Sequence, residues 1–284
     1  MEKQKAARTG KAARPSGFVL YEGPSLYDGA PVVVIATRSS RNKKTGPMLQ
    51  TWILRADVDP LAASRTGADF SICGACPHRG TANPGKTSGT ADGRGCYVQI
   101  GQAPASVWRT YKAGKYPRAL IYGGLFFPPG IAATGGPCIG NGETVRIGAY
   151  GDPAAVPRIV WDRLIKFARG WTGYSHGHLI PGAAALPDLC MVSADTEADA
   201  RAAWSRGFRT FRIVPAVADV IKGAEVICPA TAEGGNRATC ADCRLCRGAV
   251  AGGRSVAVVA HGAGKKHAAA VALTRAPEPV PLAA

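Results

Sequence analysis

Four thiols fall between Cys228 and Cys246, in the stretch CPATAEGGNRATCADCRLC. Cys240-x2-Cys243-x2-Cys246 puts three sulfurs on one short turn, and Cys228 ends the run Ala224-Glu225-Val226-Ile227. Thiolates at this spacing converge on one centre, and four of them complete a tetrahedral zinc site or hold an iron–sulfur cluster. A zinc ribbon pairs two CxxC knuckles, whereas CxxCxxC with a remote fourth Cys suits a ferredoxin-type cluster. Both stay open, and the spacing favours iron–sulfur. The neighbours are Asp, Arg, Asn and Gly, an unlikely setting for core thiols, and the basic Met1–Gly17 stretch has no apolar segment of the kind that directs disulfide-bonded proteins to secretion.

A second set of thiols lies upstream. Cys73 and Cys76 form a knuckle in SICGACPHRG, and Cys96 follows after a Gly/Thr/Asn-rich loop. Three cysteines leave one coordination position open, as a working metal or cluster requires, and His78 is the candidate that would close the site into a structural zinc centre. Cys138 and Cys190 have no partner by spacing. Cys190 beside Met191 and Val192 reads as a buried thiol, and Cys138 in GGPCIG takes no assignment.

These residues need a scaffold, and 284 residues with 46% hydrophobic content supply one large or two modest globular units. The division expected is a disordered basic arm over 1–17, a single α/β domain over 18–264 and a flexible tail over 265–284. The domain splits into a β/loop region (18–140) and a βα-repeat region (141–264). In the first, Pro31–Ala36 and Leu49–Leu54 read as strands of a hairpin whose loop, Arg38–Gly46, is basic. Lys43 and Lys44 there are candidates for gripping phosphate. Ala105–Lys112 reads as a short helix whose Trp108, Arg109 and Tyr111 could stack on and hold nucleic acid, or in the case of Trp108 pack in the core.

From Val145 the pattern alternates. Val145–Tyr150 is a strand, Pro157 opens a helix over Arg158–Arg169, and Trp171–Ser175 and Leu189–Ser193 are strands. Thr196 and Asp199 form a capping box for a helix running to Arg206, and the remaining strands are Phe208–Val214, Glu225–Cys228 and Ser255–Ala260. Strands separated by helices imply a parallel sheet of βαβ units, hence an α/β fold with a partial or complete (β/α) barrel-like sheet, an N-terminal β-hairpin region and Cys-rich metal-binding loops. In such a sheet the loops at the C-terminal strand ends share one face. Asp152, His176, His178, Asp195, Cys228 and His261 all stand at or just after strand ends.

The segment VRIGAYGDP, Val145–Pro153, resembles the second-strand motif of radical SAM enzymes, in which a Gly-Glu-Pro or Gly-Asp-Pro turn binds the amino group of S-adenosylmethionine. That superfamily also carries a cysteine loop upstream, usually Cys-x3-Cys-x2-Cys where this chain has Cys73-x2-Cys76 and a distant Cys96. The resemblance implies a [4Fe–4S] cluster on Cys73, Cys76 and Cys96, with Gly151, Asp152 and Pro153 holding the cofactor; Asp152, His176 and Asp195, at the strand ends, are the catalytic candidates. An auxiliary cluster would sit on Cys228, Cys240, Cys243 and Cys246. Residues 40–265 also resemble proteins encoded by tailed phages, which implies a phage or mobile-element origin. A different class is open as well. Cys240, Cys243, Cys246 and His261 are similar to the zinc ligands of tRNA-guanine-type base-exchange transglycosylases, with Asp152 or Asp195 as nucleophile, although the Asp-Ser-Gly-Gly signature of that family is missing.

A formal charge of +16, from 35 Lys and Arg against 19 Asp and Glu, points to a polyanionic partner, most simply nucleic acid. No apolar run reaches the roughly 20 residues that span a bilayer, so a cytoplasmic protein is expected. The expectation is thus a metal-dependent enzyme acting on nucleic acid or a nucleotide-derived substrate. Its alternatives are a zinc transglycosylase and a non-enzymatic, zinc-stabilised nucleic-acid-binding protein.

Overall fold

A computed structural model describes residues 15–39, 42–131, 134–181, 186–248 and 253–274. Residues 1–14 of the expected arm and 275–284 of the expected tail lie outside the described residues. Strands β1 (Gly17–Pro24), β2 (Pro31–Ser39) and β3 (Met48–Arg55) form an antiparallel meander. Val32 to Ala36 in β2 are β-branched or apolar without alternation, the pattern of a strand covered on both faces, and each is fully buried.

Helix α1 (Pro60–Thr66) starts where the Asp59 carboxylate accepts from the Leu61 and Ala62 amides, and it ends at Gly67 in the left-handed region. The single turn α2 (Phe70–Cys73) and α3 (Ala103–Lys112) join α1 against β3. On α3, the Trp108 indole donates to the Arg55 carbonyl at 2.9 Å, so this ring packs on the sheet. A separate ribbon of β4 (Leu120–Tyr122) and β5 (Leu125–Phe127) precedes β6 (Thr144–Tyr150), which lies parallel to β3. Helix α4 (Arg158–Ile165) then leads to β7 (Gly170–Thr172), parallel to β6.

At Gly173 the chain leaves the first sheet and enters the second. Trp171–Ser175 reads as one strand, yet Gly173 divides it. Its N–H donates to the Cys246 carbonyl at 2.6 Å, and its own carbonyl accepts from the Met191 N–H at 3.0 Å. A Cβ here would stand 2.8 Å from Cys190 Sγ, which leaves no room for a side chain. The second sheet is wholly parallel. It contains β8 (Tyr174–Ser175), β9 (Met191–Ala194), β10 (Thr210–Val214), β11 (Glu225–Ile227) and β12 (Ser255–Val259), in the order β8-β9-β10-β12-β11. Between β9 and β10 runs α5 (Glu197–Trp204), started by the expected Thr196/Asp199 capping box. One turn, α6 (Cys240–Cys243), lies between β11 and β12.

The chain is therefore mixed α/β with parallel strands. The described strands form two open five-stranded sheets and a two-stranded ribbon, so the complete barrel is not formed. Part of the expected flexible tail is ordered: Lys265–Thr274 forms helix α7, rich in the strong helix former alanine, with Ala268 buried. Among the described residues no helix is long and apolar enough to cross a membrane.

Candidate active site

The spacing of Cys73, Cys76 and Cys96 makes sense once the intervening loop is traced. Cys73 ends α2, and the Cys76 N–H folds back to its carbonyl at 3.3 Å. Thr81 and Asp92 exchange backbone hydrogen bonds at 2.8 and 2.9 Å and zip the loop closed. Gly95 and Cys96 then both donate to the His78 carbonyl, at 3.1 and 3.0 Å, which docks Cys96 against the knuckle. Gly80 is required for this closure, since it has φ +80° and a Cβ would sit 2.3 Å from the Asp92 carbonyl oxygen. Arg79 ties the turn together through the Gly67 and Gly74 carbonyls and the Asp69 carboxylate.

The Gly151-Asp152-Pro153 turn is pinned to the same place. The Asp152 N–H donates to the Ile72 carbonyl at 2.5 Å, one residue before Cys73. The Asp152 carboxylate accepts from the Ala154 N–H (2.9 Å) and the Ser175 hydroxyl (2.5 Å) on Oδ1, and from the His176 N–H (2.6 Å) on Oδ2. Burial raises its pKa, and the bonds from Ser175 and Ala154 and the nearby His176 act against that rise. Asp152→Asn must turn its NH2 toward at least one of these donors and should cost about 1–3 kcal/mol in urea unfolding, the range for an unsatisfied buried polar group. A loss within experimental error would show that the carboxylate does not brace the β8 end.

Asp195, just past β9, receives two imidazoles on one oxygen: His176 Nε2 at 3.1 Å and His78 Nε2 at 3.2 Å. Burial alone would raise the Asp195 pKa, but the two histidines hold it far below the ordinary carboxylate range. Burial works against a charged His176, yet Cys76 and Asp195 together keep its pKa well above the usual value. His176 lines the same cavity as the three thiols. His78, the candidate fourth ligand, is committed to Asp195 through Nε2, and its buried Nδ1 has no hydrogen-bond partner among the described residues.

All these groups line one cavity of about 120 Å³ at the C-terminal ends of β6, β8 and β9. It takes in Cys73, Cys76, Cys96, Asp152, His176 and Asp195, while Arg79 and Arg94 add positive charge to its wall. Burial pushes the thiols of Cys73 and Cys96 up. Asp69 and the neighbouring thiols add to the shift at Cys73, whereas Arg94 opposes it at Cys96. His178 is buried next to His176, with ring centres 6.3 Å apart, and lies outside the cavity wall.

The C-terminal thiols gather separately. Cys240 and Cys243 open and close α6, and Cys240 and Ala241 donate backbone N–H groups to the carbonyls of Lys44 and Thr45 at 3.1 and 2.9 Å. Burial raises the pKa of Cys246 strongly, and Cys228, Cys240 and Cys243 raise it further, so the four sulfurs share one neighbourhood. His261 is engaged elsewhere, with Nε2 3.1 Å from Lys44 Nζ and Nδ1 2.9 Å from the Val259 carbonyl. Cys228, not His261, is therefore the fourth member of this group. Among the described residues no three His, Cys, Asp or Glu side chains stand in metal-holding geometry. The donor chemistry fits: soft thiolates in sets of three and four suit zinc or iron–sulfur centres.

The residues singled out for nucleic acid are dispersed in role. Lys43 is exposed, Lys44 is turned onto His261, and Arg109 bonds back to the Ala105 carbonyl of its own helix at 3.3 Å. The basic hairpin loop, instead of standing free, is the ledge on which α6 docks. Cys190 is buried as expected, and Cys138 is half-buried in its loop. Sequence reasoning missed Arg79, the Tyr97–Tyr174 hydroxyl pair at 2.5 Å and the inward-facing Arg146. For Arg146 there was a signal, a cation between Val145 and Ile147 in a strand of a parallel sheet. Comparison with known protein families, curated proteins and solved structures finds no match, so the assignment of this site rests on its own geometry.

Proposed function

We propose that the protein is a metal-dependent enzyme whose reaction centre is the cavity at the ends of β6, β8 and β9, with a metal ion or iron–sulfur cluster held by Cys73, Cys76 and Cys96. One observation carries the reading: three thiols from a distant segment line the same cavity as the hydrogen-bonded His176–Asp195 pair. A thiolate-held centre with an open position supplies electron transfer if it is iron–sulfur, or Lewis-acid activation if it is zinc.

The chain's own groups divide the remaining work. Asp195 fixes the orientation of His176 by accepting from Nε2, which leaves the imidazole in the cavity wall and able to hold or release a proton beside the thiols. Asp152 holds the backbone of His176 in place. Arg79 and Arg94 offset the negative charge of thiolates at the cavity wall. The role that the radical SAM resemblance assigns to Asp152 does not fit, because three donors from the chain already occupy the carboxylate, and no step is derived through S-adenosylmethionine. The Cys228–Cys246 group is a second, structural or auxiliary, centre.

A second reading has its own observation. Cys76 lines the same cavity as the hydrogen-bonded His176–Asp195 pair, and thiol, imidazole and carboxylate are the three group types that activate a cysteine nucleophile without metal. Cys73→Ala/Cys96→Ala separates the two, since it dismantles the three-thiol set and spares those three groups. After anaerobic purification, the metal reading expects wild type to carry metal beyond the complement of the C-terminal group, with visible absorbance if the centre is iron–sulfur. The double variant should lose that excess. Equal metal in both proteins, with Cys76 alkylated at the same rate in both and more slowly in His176→Ala, would replace the metal reading by the nucleophile.

A further inference from the structure

A second cavity of about 310 Å³ lies between the two sheets, on the far side of Tyr97 and Tyr174 from the thiol cavity. Its volume is at the low end of small-molecule sites, roughly 300–1,000 Å³. Arg146, carried inward by β6, presents its guanidinium to this space. Nη2 donates to the Tyr174 hydroxyl at 2.8 Å, and among the described residues no carboxylate pairs with the group. Lys44 and His261 stand at the same wall, 3.1 Å apart. No Asp or Glu lines the cavity among the described residues, while Trp52, Tyr97, Tyr174 and Phe211 give it aromatic surface. Tyr174 and Phe211 are stacked, with ring centres 4.2 Å apart, which fixes the tyrosine that orients Arg146.

A guanidinium stays protonated, and inside a protein its free donors call for an anion in the plane of the fork. We propose that the inter-sheet cavity is a binding site for a small organic anion, a carboxylate or a phosphate monoester, with Arg146 as its principal partner and Lys44 as a second cation. The aromatic walls would cover the rest of the ligand, so an anion attached to a flat ring fits better than a bare ion. Tyr97 and Tyr174 wall both cavities, which places the anion of such a ligand one tyrosine pair away from the thiols. The site is independent of what Cys73, Cys76 and Cys96 hold.

The cavity also touches Cys228, Cys240 and Cys246, and Arg146 with Lys44 could serve only to offset thiolate charge there. Titration calorimetry on the full chain separates the two roles, with inorganic phosphate, adenosine monophosphate and benzoate as probes. Saturable binding of either ring-bearing anion, tighter than of inorganic phosphate, is expected. Arg146→Gln should weaken it about ten- to a hundredfold, the loss of one charge-assisted hydrogen-bonded partner, and Arg146→Lys should weaken it less. Benzoate and adenosine monophosphate distinguish carboxylate from phosphate ligands. Absence of saturable binding by wild type to all three probes overturns the proposal, whether or not the variants fold. So does Arg146→Lys or a folded Arg146→Gln that binds as tightly as wild type, and metal loss in Arg146→Gln without any anion binding by wild type would assign Arg146 to charge compensation.

Discussion

Cys243→Ser should cost the protein both the metal of its C-terminal group and its solubility. The segment from Cys228 to Gly248 has one helical turn of regular structure, yet it touches both sheets. It rests on the hairpin loop through the Cys240 and Ala241 N–H groups, receives the Gly173 N–H on the Cys246 carbonyl, and donates from Gly248 to the Leu189 carbonyl at 3.1 Å. Arg244 adopts a left-handed conformation at the end of α6, which a non-glycine residue holds only where its surroundings enforce it. Where metal binding closes such a loop, the binding free energy is folding free energy, about 10–16 kcal/mol for structural zinc in finger peptides at neutral pH. Losing even half of that is comparable with the roughly 5–15 kcal/mol net stability of a domain. Metal content and soluble yield should therefore fall together, a chelator should reproduce the effect in wild type, and Cys138→Ser should not. A soluble Cys243→Ser protein with its full metal complement would show that the four thiols do not form a metal site.

Much of this architecture can be read from the residues, for identifiable reasons. Thiol spacing and the Gly-Asp-Pro turn are local signals, and β–α alternation places Asp152, His176 and Asp195 at strand ends, which the fold then collects around one cavity. What escaped depends on pairings made at a distance. Strand β1, GFVLYEGP, contains glycines and ends in Pro24, so it carries no local strand signal and forms by pairing with β2, with a bulge between Val19 and Tyr21. The division of Trp171–Ser175 rests on one glycine whose role is set by Cys190 and Cys246, both remote from it in sequence. Cys228 is legible from its place at a strand end, whereas the partners of the two alternative ligands, His78 and His261, are set at a distance. His78 sits on Asp195 and His261 on Lys44, residues far from them in sequence, and His176 shares Asp195 with His78.

Gly151→Ala should be strongly destabilising at the N-terminal cavity, and its effect tests the fold and the site together. Gly151 has φ +83°, a region that costs a side-chain-bearing residue roughly 1–3 kcal/mol. There is also no space for the methyl group, since a Cβ would lie 2.6 Å from Ile53 Cβ and 2.8 Å from the Ile53 carbonyl oxygen. Ile53 is fully buried in the middle of β3 and cannot yield without moving the strand; overpacking of this kind adds roughly another 1–3 kcal/mol. Together the terms come to roughly 2–6 kcal/mol, equal to or greater than the loss expected for Asp152→Asn. Relief by shifting the turn would pull the Asp152 N–H from the Ile72 carbonyl and its carboxylate from Ser175 and His176, so any metal bound by Cys73, Cys76 and Cys96 should weaken as well. Urea unfolding followed by linear extrapolation reads the stability term, and metal content of the folded fraction reads the second. If Gly151→Ala unfolds at the wild-type midpoint, the close approach of this turn to β3 is wrong, and with it the placement of Asp152 beside the thiols.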